Sequence, residues 1–170
     1  MANSLVSPNE LHGLPGEPFS DAVVDSAVAS LRRVAGWHIA PSVIETVKVD
    51  SPGGSRLILD TLHLTAVSEV RNVLDDVPHV ITVRWSKAGI LAGEFPCGFQ
   101  SVEVDMTHGY AECPPDLLPL IASACQRIRL DSTVASQGAG PFSVTFRDFD
   151  GSARPSVDVG LTRYVLPSRP

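Results

Sequence analysis

A helix-forming segment that ends at a glycine and runs straight into β-forming sequence constrains the fold of this chain most. Apolar residues recur at helical spacing from Val24 to Ala35. Ser20, just before them, is a good helix cap, and Gly36 is a natural C-terminal stop because glycine tolerates the left-handed conformation that closes many helices. The pattern therefore predicts a helix over residues 21–35, followed at once by a change of secondary structure.

The junction after this helix reads Gly36-Trp37-His38-Ile39-Ala40-Pro41. A large aromatic residue directly after a helix stop is typical of a core anchor that closes the helix against a sheet. We favour that interpretation for Trp37, and the alternative is a contact between subunits.

The next section is rich in β-branched residues, which favour strands. Residues 43–50 predict one strand and residues 56–59 a return strand. The sequence between them, Ser51-Pro52-Gly53-Gly54, is a turn signal, so we predict a hairpin with this segment at its tip. Further strands are predicted over residues 62–70, 79–85 and 99–107, the last with alternating apolar and polar side chains.

A second helix is predicted to begin near Asp116, a good N-cap, with Pro119 in its first turn, where a missing N–H costs nothing. Its apolar stripe comprises Leu117, Leu120, Ile121, Ala124, Cys125 and Ile128. Residues 131–140 predict a loop. Alternation of Phe142, Val144 and Phe146 predicts a short strand.

These elements predict an α+β fold in which two main helices form a small helical core beside antiparallel strands, with extended N- and C-terminal arms. The predicted organisation is an arm over residues 1–19, a core domain over 20–147 and a docking tail over 148–170. Proline and glycine in the first segment indicate an extended path without a core of its own.

The net charge of −6 argues against a nucleic-acid-binding groove, which needs lysine and arginine to neutralise phosphates. No apolar run is long enough for a transmembrane helix, and the N-terminus lacks the basic and apolar regions of a secretory signal. The three cysteines form an odd set, which we interpret as reduced thiols of a protein made in the cytoplasm.

Candidate chemistry is sparse. His108 with Cys97 and Cys113 is the best metal candidate, but the paired spacing typical of structural zinc is missing, which favours a turn histidine. Asp105 and His108 could form a base and its orienting partner, although no nucleophile lies in a recognisable elbow. Cys125 lies on the apolar stripe of the second helix and is expected to be a core residue.

The tail residues Tyr164 and Leu166 have no local core in the sequence, so docking on a partner is at least as plausible for them as packing within the chain. The glycine-rich Ser51–Ser55 segment lacks a Walker lysine and does not open a helix, so phosphate binding is not expected there.

Five strings in order resemble head-to-tail adaptor (connector) proteins of tailed bacteriophages, the siphophage neck type found in actinobacterial hosts. They are the Gly36–Pro41 junction, Ser51-Pro52-Gly53-Gly54, Thr107-His108-Gly109-Tyr110, Pro115-Asp116-Leu117 and Arg163-Tyr164-x-Leu166-Pro167. The resemblance spans roughly residues 18–167.

The resemblance implies a non-enzymatic virion protein without metal or cofactor, assembled into a ring, typically of twelve copies, below the portal. Such a ring would extend the DNA channel, without sequence-specific DNA binding, and would present a surface to the stopper. Arg163, Tyr164 and Leu166 become candidates for portal contacts. The predicted hairpin of Ser51, Pro52, Gly53, Gly54 and Ser55 becomes a candidate for contacts with a neighbouring subunit, the stopper or the lumen.

Two alternatives stay open. One is a different neck ring, such as a stopper or tail-completion protein. The other is a small metal-dependent hydrolase built around His108 and Asp105.

Overall fold

The computed structural model of the chain describes residues 5–74, 77–133, 138–139, 142–143 and 160–167. They form two compact units. The β unit is built around Ala35–Cys113, and the helical unit combines Val6–Val34 with Pro114–Val165. The fold is α+β, as predicted from the sequence. The predicted domain limits at 19/20 and 147/148 stay predictions, and the second lies outside the described residues.

The helices and strands are as follows: α1 Asp21–Ala35, β1 Val43–Ile58, β2 Leu64–Asn72, β3 His79–Val80, β4 Arg84–Trp85, β5 Ile90–His108, α2 Leu118–Thr133, β6 Gly138–Ala139 and β7 Phe142–Ser143. Short 3-10 turns occur at Pro8–Leu11, Pro115–Leu117 and Thr162–Tyr164. None of the helices in the described residues is long and apolar enough to cross a membrane.

The helical unit contains both long helices. The prediction of a helix over residues 21–35 is confirmed by α1. The apolar stripe of α2 is buried at Ile121 and Cys125, where the thiol lies 3.9 Å from the carbonyl oxygen of Val23 in α1. Burial raises the pKa of the Cys125 thiol, so this cysteine is a core residue as predicted.

The N-terminal segment is anchored in the helical unit, which the sequence did not indicate. Leu11 is fully buried in the 3-10 turn Pro8–Leu11. The Arg129 side chain of α2 donates to the carbonyl oxygen of Gly16 over 2.7 Å, and the Gln126 amide donates to that of Pro15. Buried apolar side chains and donors from a helix distant in sequence thus hold this segment in place.

The β unit is a five-stranded sheet. Strand β5 pairs with β1 on one side and with β2 and β4 on the other, and β3 pairs with the outer side of β2. A straight strand of the length of β5 would span roughly 60 Å. Leu64 nevertheless pairs with His108 at the end of β5 and donates its N–H to Lys87, close to the start of that strand. The sheet is therefore strongly curled. Its concave face holds a core that includes Leu57, Leu64, Leu91, Val102 and Val104.

The predicted hairpin tip at Ser51–Gly54 is wrong. These residues continue β1. The pairing of β1 with β5 shifts register between Val49 and Ser51 and again between Gly54 and Arg56. Gly53 and Gly54 adopt φ values of 82° and 94°. Glycines in the left-handed region serve a bulge as well as a turn, and here they bend the strand instead of ending it.

Other boundaries also differ from the predictions. The expected strand over 79–85 is two short strands on different partners, because β3 pairs with β2 and β4 with β5. The strand expected over 99–107 is the second half of β5. Of the expected loop over 131–140, residues 131–133 belong to α2 and residues 138–139 to β6, and the others lie outside the described residues. Phe142 lies in β7, whereas Val144 and Phe146 lie outside the described residues.

Candidate interaction surfaces

The Gly36–Pro41 junction packs into the β unit through aromatic rings. Trp37 is buried and its ring centroid lies 6.2 Å from that of Tyr110, which in turn stacks on His63 at 4.1 Å. Ile39 is fully buried with φ 65°, and its carbonyl oxygen accepts the N–H of Tyr110 over 2.8 Å. The interpretation of Trp37 as a packing residue is confirmed.

His108 lies in the same region, where it is buried as the last residue of β5 and is not the turn histidine that the sequence favoured. Its Nε2 lies 2.9 Å from a Glu45 carboxylate oxygen, and its ring centroid lies 5.3 Å from that of His38. Its Nδ1 is buried with no hydrogen-bond partner among the described residues. A buried ring nitrogen that faces no donor or acceptor is unusual and costs stability.

The structure does not bring the proposed metal ligands together. Cys97 is exposed, Cys113 is half-buried and His108 is bound to Glu45. The part of the chain that the structure describes contains no group of three or more histidine, cysteine, aspartate or glutamate side chains that could hold a metal ion.

The pair on which the hydrolase hypothesis depended is not formed either. Side chains alternate between the faces of a strand, so Asp105 and His108, three positions apart, lie on opposite faces of β5. Asp105 instead accepts a hydrogen bond from the Thr46 hydroxyl over 2.5 Å.

The convex face of the sheet carries a charged cluster centred on Arg71. Its guanidinium donates to Glu103 over 2.6 Å and to Glu69 and Asp105 over 2.7 Å each. These hydrogen bonds raise the pKa of Arg71, and its bond to Glu69 holds the pKa of that carboxyl below its usual value. Three carboxylates around one cation leave the cluster acidic.

The segment Ser51–Ser55, a predicted contact site, lies at the bulged middle of β1. Ser51 is buried and its hydroxyl accepts the N–H of Gly53 over 3.1 Å, whereas Pro52, Gly54 and Ser55 are exposed. Its role in contacts stays a prediction, now for a bulged strand and not for a hairpin tip.

An aromatic residue that the sequence analysis did not single out lies beside this segment. Phe99 is 88% exposed, on a bulge of β5 where Gln100 adopts φ 48°. The Asp50 carboxylate accepts the N–H of Gln100 over 2.7 Å and the Ser101 hydroxyl donates to the carbonyl oxygen of Gly98, so the bulge is held in place. The sequence did contain a signal for this exposure, because Phe99 falls on the polar face of the alternating 99–107 pattern.

The C-terminal residues proposed as portal contacts have different environments. Within the helical unit Tyr164 is buried and its hydroxyl donates to Asp116 over 2.7 Å, whereas the Arg163 side chain is 72% exposed and lies 3.3 Å from the same carboxylate. In the β unit, Leu166 is half-buried and its N–H donates to the carbonyl oxygen of Ala35. Portal contact stays a prediction for all three.

Asp116 does not act as the predicted side-chain N-cap. The chain enters α2 through the 3-10 turn Pro115–Leu117, which has no side-chain cap. The hydrogen bond from Tyr164, with a smaller contribution from Arg163, lowers the pKa of the Asp116 carboxyl.

Solved structures similar to this chain include two from the necks of particles. One is a chain from the neck of an empty gene transfer agent (GTA) particle, computed with C6 symmetry. Its TM-score is 0.58 and its identity 18%, over 99% of this chain and 95% of that one. The other is from the neck of a native GTA particle, computed with C12 symmetry. Its TM-score is 0.51 and its identity 16%, over 88% of this chain and 85% of that one. No family model and no curated protein matches the sequence. The chain therefore shares its fold with these two neck proteins.

Proposed function

We propose that this chain is a structural virion protein of the neck, a head-to-tail adaptor that forms a ring between the portal and the stopper. The observation that carries the proposal is the likeness of nearly the whole chain to a neck chain of a GTA particle. The five ordered sequence strings that resemble phage adaptors support the same proposal.

In this role the ring surrounds the DNA channel, and DNA passes without sequence-specific binding. An acidic protein suits such a channel, because a basic lumen would bind phosphates. The particle neck is the proposed location, after synthesis in the host bacterial cytoplasm. One of the similar structures is a neck computed with C12 symmetry, which agrees with a ring of twelve copies.

The proposed contact with the portal uses the C-terminal tail. Arg163 offers an exposed guanidinium, and Leu161 and Tyr164, both buried in the helical unit, fix the turn that presents it. Co-purification with a tagged portal protein tests this contact. We expect Arg163→Ala to reduce capture, with Arg33→Ala as the control because Arg33 is also an exposed arginine. Unchanged capture of Arg163→Ala would remove this residue from the contact.

A second candidate is another ring of the neck, such as a stopper or tail-completion protein. Both similar structures are described only as parts of a neck and not as one particular ring of it, so the likeness supports this candidate as well. Capture by purified portal in the absence of other neck proteins favours the adaptor. Capture only after an adaptor ring has been added favours the second candidate.

A further inference from the structure

A groove of about 530 Å³ follows β1 on the concave side of the sheet in the β unit. Val47 and Val49 are only half-buried there, although they pack against the core, and Leu59 and Met106 line the groove behind them. An apolar side chain that enters the groove would therefore leave water and contact an existing core.

The rim of the groove is acidic. Glu45, Asp50 and Asp60 contribute carboxylates, whereas Lys48 is the one lysine or arginine among the lining residues. The Lys48 ammonium lies 3.9 Å from Glu103 across the sheet, so a carboxylate already offsets its charge. An occupant with cationic side chains on both sides of an apolar one would be complementary to this groove.

The strand beside the groove has an open edge. Within the described residues, 43–50 pair only with β5. Ile44 on this edge is 84% exposed. A long open edge with an exposed aliphatic side chain is a surface that associates with another chain unless it is covered.

A second surface of the same unit has the complementary chemistry. β4 and the residues after it place Arg84, Trp85 and Lys87 in solvent, with Trp85 40% exposed. Neither Arg84 nor Lys87 has an ion-pair partner among the described residues. β4 lies on the side of β5 opposite to β1, because both strands pair with Leu91.

We propose that β4 of one copy docks in the acidic groove beside β1 of the next copy. Trp85 covers the apolar floor, and Arg84 and Lys87 face the carboxylates of the rim. The inference rests on the proposed ring and names its subunit contact. Because the two surfaces differ, the contact is heterologous, the kind that closes a ring when it is repeated around a rotation axis.

Cross-linking between two differently tagged copies tests the docking directly and detects weak association. In a Cys97→Ser, Cys113→Ser background, one copy carries Val47→Cys in the groove and the other Ser86→Cys beside β4. We expect a short bismaleimide to join them in a heterodimer that neither copy forms alone. Absence of this product at concentrations where the copies associate would overturn the proposal.

Charge reversal then tests the complementarity. Arg84→Glu with Lys87→Glu on the Ser86→Cys copy is expected to lower the cross-link yield tenfold or more, because like charges would face each other. Glu45→Lys with Asp60→Lys on the other copy is expected to restore it. A cross-link yield that falls with the first pair of substitutions and does not recover with the second would contradict the pairing. The control is Asp25→Lys with Glu112→Lys, at two exposed sites outside the groove, and an equal fall in yield from this control would also contradict it.

Folding and function are controlled separately. Arg84 and Lys87 are exposed, so their reversal is expected to leave the thermal midpoint unchanged, and that measurement excludes misfolding as the cause. If the protein is found in the neck and the charge reversals do not change its assembly, the proposed function stands and the docking is refuted. If the protein is absent from the neck and its copies cross-link as expected, the proposed function is refuted and the docking stands.

Discussion

Tyr164 donates its phenolic hydrogen to Asp116 over 2.7 Å, across 48 residues of sequence, and so ties the C-terminal 3-10 turn to the start of α2. Both residues belong to the helical unit. The tail that the sequence suggested was free of any core therefore has an anchor within the chain. Deletion of residues 158–170 would remove Leu161 and Tyr164 from buried positions, so single substitutions test the tail more sharply.

Tyr164→Phe is expected to lower the free energy of unfolding by roughly 0.5–1 kcal/mol, the range for a lost hydrogen bond whose acceptor can still be solvated. The Asp116 side chain is 43% exposed, which places the cost toward the lower end. Urea unfolding measures the difference. A cost of several kcal/mol, or none, would contradict the described contact.

The same pair predicts a pH dependence. The pKa of the folded Asp116 carboxyl lies below its usual value because Tyr164 and then Arg163 stabilise the carboxylate. Its contribution to stability is therefore complete above about pH 3.9, the ordinary aspartate value, and is lost as the pH falls through the lowered value. The difference between wild type and Tyr164→Phe should be constant near neutral pH and shrink in acid. A difference that grows in acid would contradict this assignment.

Arg71→Met should destabilise the β unit at neutral pH, because it leaves Glu69, Glu103 and Asp105 close together without their cation. Added salt should recover part of the loss, because it screens the repulsion between these carboxylates. Thermal unfolding over a salt series measures the effect. Arg56→Met, at an exposed position, is the control and should show neither the loss nor the recovery.

Alanine at Gly53 should cost more than alanine at Gly54. Both glycines lie in the left-handed region, where a side chain costs roughly 1–2 kcal/mol. A Cβ at Gly53 would also lie 3.1 Å from that of Cys97 on β5, whereas one at Gly54 would meet nothing within 4 Å. Urea unfolding of both variants measures the difference. Equal costs would favour the hairpin tip that the sequence predicted over the bulged strand.

The contrast at Gly53 shows where the sequence was informative and where it was not. The helix over residues 21–35 was predictable because its apolar stripe and glycine stop are local signals. The Ser51–Gly54 string was not decisive, because left-handed glycines serve turns and bulges alike and only the partner strand distinguishes them.

The candidate surfaces were harder to predict because their partners are distant in sequence. Asp116 fits the pattern of a helix cap, yet its carboxylate binds Tyr164. In contrast, the opposite faces of Asp105 and His108 follow from strand alternation and could have been predicted once both were assigned to one strand.

Phe99→Ser should leave the thermal midpoint within about 2–4 °C of wild type, because an 88% exposed side chain contributes little to folding. The same change should weaken incorporation into the neck, since an exposed aromatic side chain on a bulge fixed by hydrogen bonds is a typical anchor of an interface. Particle purification with quantification of bound protein measures incorporation. Wild-type incorporation would show that Phe99 is not an anchor.

A cryo-EM reconstruction of the neck of a particle that carries this protein tests the central claim most directly. We expect a closed ring of copies directly below the portal, with β4 of each copy against β1 of the next and the Arg163 turn next to the portal. A particle whose neck lacks this chain, or a ring in contact with neither portal nor stopper, would contradict the account.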